Sequence, residues 1–534
     1  MNQKYDIKKI SNELNLSDDN LLCYGNDKAK IVIDENIKLL PKKGKLILCT
    51  AITPTKAGEG KTTTAIGLAD GLKAIGEKSM VCLREPSLGP VFGVKGGGAG
   101  GGEATLYPED DINLHFTGDM HAISTVNNLI AAMVDNEVYQ NSSLNIDPDK
   151  IIFPRCMDMN DRALRDIQTS LNDKKCAPHH SGFVITAASE IMACFCLATS
   201  LEDFLDRVEQ ITVAYDKEGN SVIVKQLEIR AAIEKLIKTA LYPNLVQTKY
   251  HTPAIVHGGP FANIAHGTNS IIATNLSLKL ADYVVTESGF GSDLGMEKYM
   301  DIVSQLASFH PNIVVLVCSI RALKLHGGVK FEDLKNENIS AVKIGLANLR
   351  HHIENVKAFN EKCVVAINRF ESDSIDEIKV VEDFLNSLSV PYALNSSYIE
   401  GPKGAIELAK IVKEEFDKDD GGYKPLVDSS MTSKEKIETI AKSMYGCKDV
   451  EFENGTLEEL ENYDKKGYQN FSICISKTPN SLSDDPHLLN EPKDTTLHVK
   501  KLRLFTGARF IVPLTGDVFT MPGLPKVPAG KNMK

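Results

Sequence analysis

Residues 45–72 read KLILCTAITPTKAGEGKTTTAIGLADGL. The run KLILCTAI is short and apolar, which is typical of a buried parallel strand. After the glycines, Ala65, Leu68 and Leu72 recur at helical spacing, so the pattern predicts a helix that begins near Lys61. The segment TKAGEGKT therefore connects a strand directly to a helix.

This connecting segment has the composition of a phosphate-binding P-loop. Glycines let backbone amides converge on phosphate oxygens, Lys61 is placed to neutralise the β and γ phosphates, and the hydroxyl of Thr62 is placed to reach magnesium. Thr55 stands where the usual motif has its first glycine, but the position between strand and helix favours nucleotide binding over an ordinary glycine turn. The predicted ATP-binding residues are Thr55, Lys56, Ala57, Gly58, Glu59, Gly60, Lys61 and Thr62.

Other short apolar runs, bounded by turn residues, predict further strands at residues 79–83, 283–286, 313–320 and 363–367. Helical patterns lie between several of them. Alternation of strand and helix predicts an α/β fold, with a P-loop NTPase-like parallel sheet core flanked by helices and additional α/β domains.

Changes of pattern along the chain predict three domains. Residues 1–106 together with 281–350 form the nucleotide-binding core, residues 107–280 a mainly helical middle domain, and residues 351–534 a C-terminal region. One β-hairpin is predicted within the middle domain, at residues 211–224.

The composition limits the classes of partner. The chain has 534 residues, 42% of them hydrophobic, and 60 basic against 71 acidic residues give a net charge of -11, with no basic stripe for nucleic acid. The first residues lack the apolar core of a signal peptide and no stretch is long enough to cross a bilayer, so we expect a cytoplasmic protein. The 11 cysteines have no metal-ligand spacing and are expected to be buried reduced thiols.

The second predicted strand, SMVCL, ends at the sequence REPSLGP, which places Arg84 and Glu85 at the carboxyl edge of the sheet, where open α/β folds bind ligands. A guanidinium offers planar donors to an acyl phosphate and stabilises negative charge during phosphoryl transfer. Arg84 is therefore a candidate catalytic residue together with Lys61. The alternative is a surface arginine paired with a nearby carboxylate.

A glycine run, VKGGGAGGGE, occupies residues 94–103. Such a run on its own is usually a flexible linker. Here it lies within the predicted core, where small residues let backbone amides approach an anionic ligand closely, so a binding loop is favoured.

Six motifs in order, TPTKAGEGKTTT, REPSLGP, FGVKGG, DINLHFTGD, VHGGPFANIAHG and MPGLPKVPA, resemble those of formate:tetrahydrofolate ligases. The resemblance runs from about Lys45 to the C-terminus. It implies an enzyme that uses ATP to convert formate to formyl phosphate and transfers the formyl group to tetrahydrofolate, giving 10-formyltetrahydrofolate, ADP and phosphate. It also implies a homotetramer.

The same resemblance assigns roles to individual residues. Lys61 and Arg84 are expected to hold the transferring phosphoryl group and formyl phosphate, with Thr62 near magnesium. Glu85 and Asp119 are expected to serve a monovalent cation, potassium or ammonium. From the residue pattern alone, Asp119 is equally a turn or helix-cap residue.

Three aromatic residues match ligand-binding positions of the family. Phe290, in SGFGSDLG, is expected beside the adenine, and Phe370 and Tyr398 are expected to stack on the pterin of tetrahydrofolate, which makes residues 351–534 the folate-binding region. The family normally has tryptophan where this chain has Tyr398, and the glycine run normally ends in tyrosine where this chain has Glu103. Tyrosine stacks over a smaller area than tryptophan.

Two other functions stay open on the sequence. One is a P-loop ATPase switch that binds a partner protein and has lost folate affinity. The other is a ligase that forms an acyl phosphate but transfers the acyl group to another acceptor. The aromatic residues Phe370 and Tyr398 argue against the switch, which has no use for a pterin clamp.

Overall fold

One large β-sheet organises the chain. The structure, a computed structural model, describes residues 5–56, 58–93, 98–171, 178–262, 265–418, 422–516 and 519–533. Within these residues the sheet has 12 strands. They are β1 (Leu21–Tyr24), β2 (Lys28–Ile31), β3 (Lys45–Ala51), β4 (Ser79–Leu83), β5 (Gly100–Gly101), β6 (Ala104–Tyr107), β7 (Asn244–Thr248), β8 (Pro253–Val256), β9 (Tyr283–Glu287), β10 (Ile313–Cys318), β11 (Cys363–Asn368) and β12 (Tyr392–Asn395).

The spatial order of the strands is β1-β2-β7-β8-β4-β9-β3-β10-β11-β12, with β6 paired to β7 and β5 to β6. Every neighbouring pair from β8 to β12 is parallel. The pairs at the other end are antiparallel. All five predicted strands are confirmed and lie in the parallel part, with β3, which precedes the predicted P-loop, near its centre.

Helices cover both faces of the sheet. Those of seven residues or more within the described ranges are α1 (Ile7–Glu13), α2 (Lys61–Ala74), α3 (Asp119–Tyr139), α4 (Glu190–Leu197), α5 (Leu201–Glu209), α6 (Arg230–Ile237), α7 (Ile271–Leu280), α8 (Ile320–His326), α9 (Ile339–Ala358), α10 (Ile375–Ser387), α11 (Ile406–Phe416), α12 (Ser433–Tyr445) and α13 (Thr456–Lys465). The helix predicted after the glycines is confirmed as α2.

Alternate residues of the central strands belong to two different hydrophobic cores. Ile47 and Val285 pack on one face with Leu68 of α2. Leu48 and Val284 pack in the larger core on the other face. Because successive side chains of a strand point to opposite faces, burial of both faces requires the nearly continuous apolar runs seen in the sequence.

The predicted hairpin is confirmed as two antiparallel strands, Thr212–Asp216 and Ser221–Ile223, which join Ile146–Ile151 in a small separate sheet. The central sheet draws strands from all three predicted domains, since β7 and β8 come from the middle segment and β11 and β12 from the C-terminal one. The molecule is thus a mixed α/β protein with a large, mostly parallel sheet. The kinship with P-loop NTPases and the division into domains stay predictions.

Among the described residues, no helix is both long and apolar enough to cross a membrane. The described cysteines are free, and all of them except Cys23 are buried. The prediction of buried thiols is confirmed for these residues and is wrong for Cys23, which is exposed. Burial raises the pKa of the Cys156 thiol to about 11, so this thiol stays protonated and unreactive at neutral pH.

Candidate active site

The predicted phosphate loop lies at the carboxyl end of β3, and Gly60 caps the start of α2. Gly58 and Gly60 have φ angles of +80° and +78°, a left-handed backbone that glycine adopts without strain. A Cβ atom on Gly60 would lie 2.3 Å from Nδ2 of Asn368. The loop thus leads into a helix N-terminus, whose free amides favour anions. Lys56 is exposed, and Ala57 lies outside the described residues.

Glu59 stabilises the phosphate loop through hydrogen bonds. Its side chain is buried, and one carboxylate oxygen accepts a hydrogen bond from the backbone N–H of Thr55 at 2.6 Å while the other accepts from the hydroxyl of Ser319. Nδ2 of Asn368 donates to the carbonyl of Glu59 at 3.0 Å. Ser319 follows β10 and Asn368 ends β11, so two neighbouring strands support the loop. Neither role was predicted, because the only signal in the sequence was a polar residue at the end of each apolar run.

Thr62 and Arg84 meet at one carboxylate, that of Glu287. The Thr62 hydroxyl donates to Oε2 at 2.8 Å, and Nη2 of Arg84 lies 3.6 Å from Oε1. Glu287 is buried at the end of β9, which lies between β3 and β4 and therefore between the phosphate loop and Arg84. Glu287 was not among the predicted site residues, although an acidic residue that ends a buried strand at this edge of the sheet was a usable signal.

Arg84 has donors left for an anion. Its Nη1 donates to the carbonyl of Pro260 at 3.4 Å, and its Nε is buried with no hydrogen-bond partner among the residues that the structure describes. Lys61 is the first residue of α2 and is partly exposed. The structure therefore brings the predicted phosphate residues to one edge of the sheet, where cationic groups and helix amides stabilise phosphate charge.

The loop after β9 carries Phe290 in a strained backbone conformation, with φ of +59°. The preceding Gly289 packs against Arg84, since a Cβ there would lie 3.1 Å from Nη1. Two π-helical turns follow, Ser292–Met296 and Tyr299–Val303. Positive φ in a bulky residue and π-helical turns both concentrate at functional sites. The place of Phe290 beside the adenine stays a prediction.

Glu85 and Asp119 lie together in the interior. Burial, and next the negative charge of Asp119, hold the pKa of Glu85 well above its usual range. Asp119 is itself buried, with Nζ of Lys30 at 2.7 Å from Oδ1 and Nδ2 of Asn244 donating to Oδ2 at 2.7 Å. The cation at Asp119 in the structure is thus the ammonium of Lys30.

The oxygen donors at the site fit one of the predicted metals better than the other. In the part of the chain that the structure describes, no three or more His, Cys, Asp or Glu side chains are grouped to hold a metal ion. The Thr62 hydroxyl and the Glu287 carboxylate are oxygen donors of the kind that magnesium prefers together with phosphate oxygens, so they fit magnesium that arrives with a nucleotide. Within the described ranges, Oε2 of Glu85 is buried without a hydrogen-bond partner and fits a cation, whereas both oxygens of Asp119 already have protein partners.

The two predicted folate aromatics leave neighbouring parallel strands at the same edge. Phe370 follows β11, and Tyr398, whose side chain is 54% exposed, follows β12. The guanidinium carbon of Arg321 lies 3.5 Å from the centre of the Phe370 ring. Tyr398 packs against the glycine run, because a Cβ on Gly102 would lie 2.3 Å from the Tyr398 carbonyl oxygen. Exposed aromatic surface next to a glycine loop is suited to a flat ligand.

Glu103 fixes the end of the glycine run. Its backbone N–H donates to the carbonyl of Tyr398 at 2.8 Å, and its carboxylate accepts from Lys249 at 2.8 Å and from the hydroxyl of Tyr250 at 2.7 Å. Lys249 and Tyr250 lower the pKa of Glu103. The hydrogen bond between Tyr250 and Glu103 raises the pKa of Tyr250 to about 12. A charged side chain therefore ends the glycine run, at the position where the family resemblance led us to expect tyrosine.

The family model for formate–tetrahydrofolate ligase matches residues 1–534, the whole chain. The match includes the residues before Lys45, in which the sequence analysis found no family motif. It also spans the phosphate loop, the residues around Glu287 and the two aromatic positions, Phe370 and Tyr398.

Proposed function

The chain belongs to the formate–tetrahydrofolate ligase family, and from this premise we propose how its site works. The site at the edge of the central sheet joins formate to tetrahydrofolate through formyl phosphate. Membership makes the protein a ligase (EC 6.3.4.3) that uses ATP, formate and tetrahydrofolate. The observation that best supports the assignment of the site is the convergence of Thr62 and Arg84 on Glu287 beside the phosphate loop.

In the first step, an oxygen of formate attacks the γ phosphorus of ATP, and the bond from that phosphorus to the bridging oxygen breaks. ADP leaves with the bonding electrons, and formyl phosphate remains. Formate alone is a poor acylating agent, so the phosphate supplies the leaving group. Lys61 and Arg84 neutralise the phosphoryl oxygens, and Glu287 holds Arg84 in position.

In the second step, the N10 amine of tetrahydrofolate attacks the formyl carbon. The bond from carbon to the phosphate oxygen breaks, phosphate leaves with the electrons, and the amine loses its proton to solvent or phosphate. Phe370 and Tyr398 stack on the pterin and hold the amine in reach of the carbonyl, which replaces a bimolecular encounter by an oriented one. Arg84 retains the departing phosphate.

Thr62, beside Glu287, would hold magnesium, which when bound neutralises charge on the triphosphate. Glu85 would contribute an oxygen to a monovalent cation, potassium or ammonium. On the family resemblance alone we also propose a homotetramer, for which light scattering is expected to give four times the chain mass of 58.5 kDa.

The test is an omission assay. Purified protein is incubated with ATP, magnesium, potassium, formate and tetrahydrofolate, each left out in turn, and the product is converted by acid to the methenyl form and read by absorbance. We expect product only when all three substrates are present. Trapping of formyl hydroxamate without any dependence on tetrahydrofolate would instead indicate another acceptor, and ATP binding without either product would indicate a switch.

A further inference from the structure

The ring of His352, on α9, connects two loops of the proposed ATP site. Its Nε2 lies 2.8 Å from the backbone nitrogen of Thr53, and its Nδ1 lies 2.7 Å from the hydroxyl oxygen of Ser292. All three residues are fully or almost fully buried. Thr53 lies at the root of the phosphate loop, two residues before Thr55, and Ser292 follows Phe290 and Gly291 in the loop after β9.

The donors fix the protonation of the ring. A backbone N–H only donates, so Nε2 of His352 accepts from Thr53 and carries no proton. The neutral ring then has its proton on Nδ1 and donates to Ser292. Burial is the main cause that holds the pKa of His352 well below its usual range, in keeping with this neutral form. The phosphate loop is therefore bound to Nε2 of His352 through Thr53, and the loop after β9 is bound to Nδ1 through Ser292.

The Thr53 end of this connection is also held by other groups, and the Ser292 end packs on the ring itself. Nδ2 of Asn348 donates to the Thr53 hydroxyl at 3.0 Å, and Nε2 of His326 lies 3.1 Å from the Thr53 carbonyl oxygen. At the other end, a Cβ on Gly291 would lie 3.3 Å from Cε1 of His352. The loop that carries Phe290 therefore packs directly on the histidine ring, and a shift of this loop must move or break the bond to Thr53.

We propose that His352 is a positioning residue that links the loop expected to hold the adenine base to the phosphate loop, so that a correctly seated base aligns the γ phosphate. This inference rests on the proposed function, since it takes Phe290 as the adenine contact. Binding energy from the base is then used in the phosphoryl transfer step and appears in kcat as well as in KM. His352 itself touches neither the base nor the phosphates.

The neighbouring His351 provides a matched control. It lies on the same helix and is also buried, but its Nε2 lies 2.9 Å from the carbonyl oxygen of Met444 and no hydrogen bond joins it to Thr53 or Ser292 among the described contacts. A glutamine at this position tests the loss of a buried histidine from α9 without cutting the connection between the loops.

The experiment compares kcat and KM for ATP in the full-length enzyme with formate and tetrahydrofolate saturating. The variants are His352→Gln, Ser292→Ala and His351→Gln, each with and without Phe290→Leu. Loss of one or two buried hydrogen bonds is expected to lower kcat about 3- to 10-fold in His352→Gln and in Ser292→Ala. Ser292→Ala is included because it keeps the histidine and the Thr53 bond, and thermal unfolding checks that each variant is folded.

The combination with Phe290→Leu gives the decisive readout. In the wild-type and His351→Gln backgrounds, Phe290→Leu is expected to lower kcat and to raise KM for ATP. In the His352→Gln background it is expected to raise KM for ATP alone. An equal loss of kcat in the wild-type, His351→Gln and His352→Gln backgrounds would overturn the linkage, because the base would then act without His352. If Phe290→Leu changed neither constant while the wild-type enzyme made product, the adenine assignment and this inference would both fall, and the ligase activity would stand.

Discussion

Glutamine in place of Glu287 tests whether this carboxylate organises the ATP site. The Thr62 hydroxyl lies 2.8 Å from Oε2 of Glu287. The substitution keeps the shape of the side chain and one acceptor oxygen for this hydroxyl. It removes the negative charge that faces Arg84, whose Nη2 lies 3.6 Å from Oε1. Both charged side chains are largely buried, so solvent does not replace the lost partner.

The size of the effect follows from these contacts. Removal of one charge from a buried ion pair costs about 3 to 5 kcal/mol; because Arg84 is 18% exposed, about half of that, roughly 1.5 to 3 kcal/mol, is expected here. Loss of that amount from the transition state slows a reaction by roughly 10- to 100-fold. We therefore expect kcat of Glu287→Gln to fall by about this factor, with a higher magnesium requirement. KM for tetrahydrofolate should change little, because β3 and β10 separate the strand of Glu287 from those that precede Phe370 and Tyr398.

The assay measures initial rates of 10-formyltetrahydrofolate formation while ATP, magnesium and tetrahydrofolate are varied separately. Asp282→Asn is the control, since Asp282 directly precedes the same strand but pairs with Lys43 at the surface, 3.1 Å away. Wild-type kcat and magnesium dependence in Glu287→Gln would refute the reasoning, as would an equal loss in Asp282→Asn.

Two further predictions concern the folate site and stability. Tyr398→Trp adds stacking area and is expected to lower KM for tetrahydrofolate about 2- to 5-fold with KM for ATP unchanged. Because the natural chain has no tryptophan, the fluorescence of the new side chain also reports folate binding. Equal changes in both KM values would place Tyr398 outside the folate site. Burial raises the pKa of Asp70 from 3.8 to about 6, so its charged form destabilises the fold above that pH and the penalty fades as the pH falls from about 6 to about 4. Asp70→Asn keeps an acceptor for the hydroxyls of Thr248 and Thr252. Urea unfolding is expected to show that this change raises the free energy of unfolding by up to about 3 kcal/mol near pH 8 and by less near pH 5. An increase that does not depend on pH would contradict the assignment to the Asp70 charge.

Local patterns in the sequence predicted the elements that local physics determines. The apolar runs that became β3, β4, β9, β10 and β11 were recognised because strands buried on both faces must be apolar throughout. The phosphate loop was recognised because its glycines, lysine and threonine are consecutive. Family motifs then gave the reaction class, which the match over residues 1–534 confirms.

Contacts between distant residues could not be predicted in this way. Glu287 is 225 positions from Thr62, and nothing in the sequence around either residue specifies the pairing. Likewise, the ammonium of Lys30 reaches Asp119 across 89 positions, so no local pattern indicated a protein cation where a bound cation had been assigned. Both pairings depend on the order of strands in the sheet, which the sequence pattern leaves open.

Lys61→Ala offers the most direct test that phosphoryl transfer occurs at the phosphate loop. Formation of 10-formyltetrahydrofolate should be measured at saturating ATP, formate and tetrahydrofolate, with Lys73→Ala as the control, because Lys73 lies at the other end of the same helix and pairs with Glu13 at 2.9 Å. We expect Lys61→Ala to lose about 100- to 1,000-fold in kcat, since the backbone amides alone do not replace the cation at the γ phosphate, and Lys73→Ala to retain activity. Near-normal turnover by Lys61→Ala would show that the reaction takes place elsewhere in the molecule.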